Sequence, residues 1–407
     1  MRIIPFLLSA ALLATPLAAE PGLPEEADVQ AALDSHPSVV AARARAEAAR
    51  ADARARSKGT HEITFSGSYT RRRIDREGEF DEYDAALTRA FRLPGKARLD
   101  REIGEAGVLA ADNIAEDAKH QAALLLSGYW FDWLAAEAQA RIDSTAVRNY
   151  EKALAVVKRR EQLRDASRLD VDQAEAALGT ARVLAEQSAG QASLAKARLA
   201  AHFPALVVPE TPPELPEPLV SDEELLRLAA LVPMNSHEIT AADAQAQQSA
   251  AIAQRAQKER MADPSVGVRL FSERGGAERG AGLLFSIPLG GGHRKALAEQ
   301  AGAEASAAQA EAQLARFGVK EVADADLAEA RYRIAAWKRA RQAMDAQMAA
   351  LLKLRRGHEL GEIDLFDLLL GERMVHDAFR MEAATRAEAL RSIAKLRIDS
   401  HELWLAD

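Results

Sequence analysis

Arg164-Asp-Ala-Ser167-Arg-Leu-Asp170-Val-Asp-Gln-Ala174 interrupts a segment that holds no proline anywhere between Pro94 and Pro204. One proline inside a helix costs about 3 kcal/mol, so its absence across an Ala-, Leu-, Glu-, Arg- and Gln-rich segment predicts helix almost throughout. The quoted stretch breaks that helix in two. Ser167 can accept the backbone N–H three residues on while Asp170 reaches back, the capping box that starts a new helix. The segment therefore reads as a helical hairpin with a tight tip near 164–167. Its descending arm, 97–163, would run for about 100 Å at 1.5 Å per residue, far beyond the needs of a globular domain.

Leu360-Gly361-Glu-Ile-Asp364-Leu-Phe-Asp367-Leu-Leu-Leu-Gly-Glu372 repeats the device, and no proline follows Pro288. Placing Ser167 on Asp364 and Asp170 on Asp367 gives an offset of 197 residues, and Leu93-Pro-Gly95 falls beside Leu289-Gly-Gly291 at nearly the same offset. The chain is a tandem duplication. The first repeat covers 20–203: a lead-in to residue 35, a helix opened by His36-Pro37-Ser38 and running to about Ser57, a strand pair in 61–93, and the hairpin 97–203. A connector, 204–234, holds six of the 15 prolines in its first part, Pro204–Pro218, and then a short helix from Asp222 to Leu231. The second repeat, 235–407, carries a helix from Asn235 to Lys258, a strand pair in 264–289 and the hairpin 293–403.

The strands declare themselves by alternation. Ile63, Phe65 and Tyr69 fall on one face of Ile63–Thr70, and Thr64, Ser66, Ser68 and Thr70 on the other. A polar loop at Arg73–Glu79 leads to a second strand, Tyr83–Leu93, with Leu87 and Phe91 on one side and Arg89 as a blemish on it. The second copy is cleaner: Val266, Val268 and Leu270, a turn at Arg274–Arg279, then Ala281, Leu283, Phe285 and Ile287. Strands of about 9 to 11 residues are long enough to cross a bilayer when tilted. Four strands cannot close a barrel, and an open edge in lipid leaves backbone groups unpaired at several kcal/mol each, so closure calls for further copies of the chain.

Composition narrows the function. Arg2 precedes the apolar run Ile3–Leu13, and Leu17-Ala-Ala19 before Glu20 loosely fits a signal-peptidase site, so residues 1–19 read as an export signal. The formal net charge of −8 becomes one unit more negative when Arg2 leaves with that signal, which argues against a nucleic-acid partner. There is no cysteine, hence no disulfide framework, thiol catalysis or lipid-anchoring cysteine. No segment after the signal approaches 18 apolar residues, so a transmembrane helix is excluded and a β-barrel is not. No nucleophile–base or metal constellation supports an enzyme, no cofactor is called for, and the catalytic set is empty. His358-Glu-Leu-Gly-Glu362 lacks the second histidine of a helical zinc site, so His358 reads as a solvated helix residue. Gly290-Gly-Gly-His-Arg-Lys295 lacks phosphate-loop spacing and marks a strand-to-helix turn. Tyr129, Trp130, Phe131 and Trp133 read as helix-packing surface, with Tyr332 and Trp337 as rough counterparts.

The duplicated strand pair and hairpin, the Leu93-Pro-Gly-Lys96 junction, Gly128-Tyr-Trp-Phe-Asp-Trp133 and the Ser167-Arg-Leu-Asp-Val-x-Gln-Ala174 tip together resemble the TolC-type outer-membrane efflux channels of Gram-negative bacteria, over His36–Ile398. The resemblance implies a mainly α fold with a membrane β-barrel part, in which a homotrimer pools four strands per chain into one 12-stranded barrel and its helices form a periplasmic tunnel. It implies an outer-membrane location in contact with lipid, and work with a periplasmic adaptor and an inner-membrane resistance-nodulation-division pump. The strand–Leu-Pro-Gly-Lys–helix junction leans toward the cobalt-zinc-cadmium branch and hence heavy-metal cations. A periplasmic adaptor is the alternative, but it carries one hairpin, not two, and no strands of spanning length.

By the same resemblance the tips dock the adaptor, through Arg164, Ser167, Arg168, Leu169, Asp170 and Val171 in the first copy and Gly361, Leu365, Phe366, Asp367 and Leu368 in the second. Arg164 stands where a glycine is usual, so the first tip is expected to turn differently. Asp364 and Asp367 match an aspartate pair that lines the periplasmic entrance of the TolC channel. Three apart on one helical face, they would form stacked acidic rings that concentrate cations, although Asp364 is equally well placed to cap its helix.

Overall fold

The computed structural model describes residues 21–405, and the export signal expected over 1–19 lies outside them. The chain order is α1 (Glu26–Asp34), α2 (Pro37–Lys58), β1 (Ile63–Ile74), β2 (Gly78–Ala90), α3 (Lys96–Gln162), α4 (Arg168–His202), α5 (Asp222–Asn235), α6 (His237–Glu259), β3 (Ser265–Glu273), β4 (Glu278–Ser286), α7 (Gly292–Glu359) and α8 (Leu365–Asp399). The residues group into two contact units. One is sheet-bearing, 36–124 with 221–329 and 395–405. The other is helical, 21–35 with 125–220 and 330–394.

In the sheet-bearing unit the four strands are antiparallel in the order β1-β2-β3-β4. Ile63 pairs with Arg89, Leu87 with Val268 and Val266 with Phe285, so the apolar positions of neighbouring strands share a face. β2 starts at Gly78 and ends at Ala90, not at 83 and 93. Its outer end escaped notice because it is charged. Arg71 pairs with Glu79 at 2.8 Å and Arg72 with Glu82 at 2.6 Å, and these cross-strand ion pairs hold a hairpin where polarity suggested a loop. The turn shrinks to Asp75–Glu77, with Arg76 in the left-handed region at φ 70°. At the base of the sheet Lys96 is fully buried, and its ammonium reaches Asp263 at 2.7 Å, the Met261 carbonyl at 2.8 Å and Glu259 at 3.0 Å. Asp263 also meets His61 at 2.8 Å and accepts the Leu93 N–H at 2.9 Å. Three neighbours thus compensate a carboxylate taken out of water.

In the helical unit Trp130 and Trp133 are buried edge to face, ring centroids 5.1 Å apart, and the Trp130 indole donates to the Gly22 carbonyl at 2.8 Å. The aromatic run is therefore packing. The lead-in is not featureless, since Val29, Ala32 and Leu33, spaced for one helical face, are buried on α1. Back in the sheet-bearing unit, α5 continues through Pro233 to Asn235, past the expected end at Leu231. α8 ends at Asp399, short of 403, in a turn where Glu402 N–H reaches back to the Arg397 carbonyl at 2.8 Å.

Candidate functional site

The two hairpin tips, both in the helical unit, are built bond for bond alike. After α3, Leu163 N–H bonds the Arg159 carbonyl and Asp165 N–H the Arg160 carbonyl at 2.8 Å; after α7, Leu360 N–H bonds Arg356 and Glu362 N–H bonds Gly357 at 2.9 Å. Each turn needs one residue in the left-handed region, Gly361 at φ 77° and Arg164 at φ 62°. The expectation that the first tip turns differently is therefore corrected. The hydrogen bonds closing the turn outweigh the 1–2 kcal/mol or so that a side chain costs there.

The helices then restart with unequal caps. Ser167 Oγ accepts the Asp170 N–H at 3.1 Å while Asp170 Oδ2 accepts the Ser167 N–H at 2.7 Å, closing the box read from sequence. Asp364 Oδ1 accepts the Asp367 N–H at 2.8 Å. At these two cap positions the first copy has one carboxylate, which it ties up, and the second presents two exposed ones.

The residues singled out for docking divide by burial. Val171 and Leu365 are buried in one cluster with Val157 and Ala174, and Leu368 packs against it, so these three hold the tip together from inside. Arg164, Ser167, Arg168, Leu169, Gly361, Phe366 and Asp367 face outward, and Asp170 is half-buried. Leu163 and Leu169 are each 64% exposed, and their counterparts at the same offset, Leu360 and Phe366, are each 58% exposed. The reading of the sequence missed Leu163 and Leu360, which sit on the helix ends before the turns. An apolar residue at matching positions of both copies was the signal available.

His358 is not a solvated residue. Its Nδ1 lies 2.9 Å from the Ile363 carbonyl and so carries the proton, leaving Nε2 to accept from the Arg160 guanidinium at 3.2 Å. It ties one tip to the other. Further from the tips, Asp143 is fully buried between His376 at 2.7 Å and Arg380 at 2.5 Å, and the Trp337 indole donates to Glu382 at 2.9 Å. Beside Asp143 lies a cavity of about 410 Å³ lined by Tyr150, Leu351, Val375, His376 and Phe379 among others. Burial first, and then Glu372 nearby, push the Tyr150 hydroxyl up to about 12. Partners 45 to 237 positions apart leave no local pattern in a sequence, which is why these pins were not foreseen.

In the sheet, β1 and β4 each have one unpaired edge. Ile63, Phe65, Val268, Leu283 and Phe285 are exposed on the apolar face, which only an apolar solvent or a partner would accept. Among the described residues no group of three or more His, Asp or Glu is arranged to hold a metal ion, and no helix is long and apolar enough to cross a membrane. The arrangement offers an amphipathic sheet with open edges and two polar-capped, apolar-studded tips.

No protein-family model and no curated protein matches this chain. Solved structures do. The chain is similar to the outer-membrane channel OprN at 21% identity and TM-score 0.75, over 93% of this chain and 90% of that one. It is similar to a membrane protein from Pseudomonas aeruginosa at 18% identity and TM-score 0.76, over 97% and 96% of the two chains. It is also similar to the open state of the Neisseria gonorrhoeae MtrE outer-membrane channel at 17% identity and TM-score 0.74, over 93% and 89%. Duplicated long helical hairpins together with a four-stranded antiparallel sheet are thus a fold this chain shares with outer-membrane channels, as the sequence resemblance implied.

Proposed function

We propose that the chain is one subunit of a homotrimeric outer-membrane channel that passively conducts substrates, delivered by a periplasmic adaptor and an inner-membrane resistance-nodulation-division pump, from the periplasm to the exterior. The observation that carries the reading is the sheet: spanning-length strands with an exposed apolar face and two open edges, continuous with helices of 67 and 68 residues. In lipid those edges must be paired by further copies. Three copies would give 12 strands. The adaptor reading is not favoured, because it has no use for such a sheet or for a second hairpin.

Heavy-metal cations are the proposed cargo, supported by the junction motif and by the acidic second tip. Asp364 and Asp367 are the proposed entrance gate; the cap that Asp364 makes does not compete with this, since one of its oxygens remains for a cation. The exposed Leu169 and Phe366, flanked by Leu163 and Leu360, are the proposed contacts for the adaptor's helical ends. The test is fractionation of the mature protein with outer membrane and a trimer in mild detergent; a soluble monomer in periplasmic extract overturns the reading. Leu169→Glu and Phe366→Glu should abolish export while leaving trimer yield intact, and export that survives both overturns the docking assignment.

A further inference from the structure

The duplication that built this chain also sets how one copy must meet the next. Within the chain, β2 of the first repeat pairs with β3 of the second, over eight positions from Tyr83↔Ser272 to Ala90↔Ser265. If copies close a ring, β4 of the second repeat meets β1 of the first repeat of the following copy, which is the same junction made between chains. α3 starts at Lys96 and α7 at Gly292, an offset of 196 that carries Leu87 onto Leu283 and Ala85 onto Ala281. Ile63 pairs with Arg89, and Val266 pairs with Phe285, the residue onto which Arg89 is carried, so Ile63 and Val266 are equivalent and β3 maps onto β1 at an offset of 203.

Resting on the oligomeric channel reading above, we infer that β4 of one copy pairs antiparallel with β1 of the next in the register Leu283↔Phe65, bounded by Arg279↔Tyr69 and Phe285↔Ile63. The pair Leu283↔Phe65 repeats Leu87↔Val268, and both put two exposed apolar side chains side by side. A slip of one residue would set Leu283 against Thr64 or Ser66 and turn the apolar face of one strand against the polar face of the other. A slip of two preserves the faces, so hydrophobicity alone cannot choose among the even registers. The internal template does choose. β1 runs on to Ile74, beyond the reach of β4, just as β2 runs beyond β3, so the first hairpin projects past the second at the new junction as it does at the old one.

The chain has no cysteine, so introduced pairs report without background. Cysteines at directly opposed positions come within disulfide reach, while diagonal neighbours two residues away lie at about 7–8 Å. Leu283→Cys with Phe65→Cys, and on the other face Leu284→Cys with Thr64→Cys, should be oxidised in isolated outer membranes to covalent oligomers ending at the closed ring, with no product from any single variant. The yield should exceed that of Leu283→Cys with Ile63→Cys, or with Gly67→Cys, by about tenfold. A slipped pair that links better, or a protein that is oligomeric in mild detergent yet links in none of these pairs, overturns the register. A monomeric protein overturns the oligomeric channel reading itself, and the inference falls with it.

Discussion

The two places where strand becomes helix occupy equivalent positions in the repeats and are fastened in opposite ways. At the first, Arg92 donates to the carbonyls of Arg56 and Ser57 at 3.0 Å each and of Lys58 at 3.2 Å, closing the end of α2, while Lys96 is buried among Glu259, Met261 and Asp263. At the second, the counterparts at offset 196 are Pro288 and Gly292, which can do neither. Along the helices the partners differ as well. His120 of α3 lies 2.8 Å from Asp399, where Lys395 bridges to Asp326, whereas its counterpart on α7 at the same offset is Arg316, which meets Asp243 at 2.7 Å. Duplication thus preserved the backbone plan and let its fastenings diverge. At the strand-to-helix junction charge is buried in the first repeat, and the equivalent positions of the second carry none.

The largest effect that would break this contrast is loss of the buried lysine. Lys96→Met should destabilise the folded protein by about 3 kcal/mol, because it removes the ammonium that compensates the buried Asp263 carboxylate. Gly292→Ala, at the equivalent but bare junction, should change stability by well under 1 kcal/mol. Unfolding midpoints of the detergent-solubilised protein check both. Equal losses at the two positions would erase the asymmetry.

Next is the clamp around His120. Burial works against its charge, but hydrogen bonds to Asp117 and Asp399 override that and hold its pKa at about 9. Asp326 is pushed up to about 7, chiefly by burial and then by the hydrogen bond to Asp399. Both groups bind their protons more tightly when folded, so their contribution is full at low pH. Asp326 loses its share as pH rises from its ordinary value of 3.8 through about 7, and His120 loses its share from 6.5 through about 9. Stability should therefore fall between about pH 4 and 9, and the fall above pH 7, about 2–3 kcal/mol, belongs to His120. His120→Gln should start lower and show a flatter profile. Melting curves across that range decide, and an unchanged slope in the variant removes His120 from the account.

A smaller effect sharpens the comparison of the tips. Arg164→Gly should stabilise the first tip by about 1 kcal/mol, and Gly361→Ala should destabilise the second by a similar amount, because both residues occupy the left-handed region. The open space around Gly361 makes conformation the only cost of the alanine. If Arg164→Gly is neutral or destabilising, the arginine side chain is contributing a contact that offsets its strain.

The smallest change in stability separates cap from charge. Asp364→Asn with Asp367→Asn keeps a good capping residue and should alter stability by only a few tenths of a kcal/mol. In planar bilayers the same variant should lose cation selectivity and block by trivalent cations. Unchanged conductance properties would leave Asp364 as a cap alone.

The sequence by itself determined the elements that depend on local chemistry. Proline-free, helix-favouring segments gave the long helices, period-two alternation gave β1, β3 and β4, and Ser167 with Asp170 gave a cap whose partners are three residues apart. The repeat offset then aligned the two copies without reference to any contact. What only the tertiary structure decided involves partners far apart in the chain or a backbone choice that side chains do not announce. A carboxylate 167 residues away buries Lys96, and His376 and Arg380 meet Asp143 across more than 230 positions. Arg164 takes up a conformation usually left to glycine because the hydrogen bonds of the closed turn offset its strain. Val171 and Leu365, indistinguishable in sequence from the exposed Leu169 and Phe366 beside them, point inward because helical geometry turns each residue by about 100°, and packing then settles which side is covered.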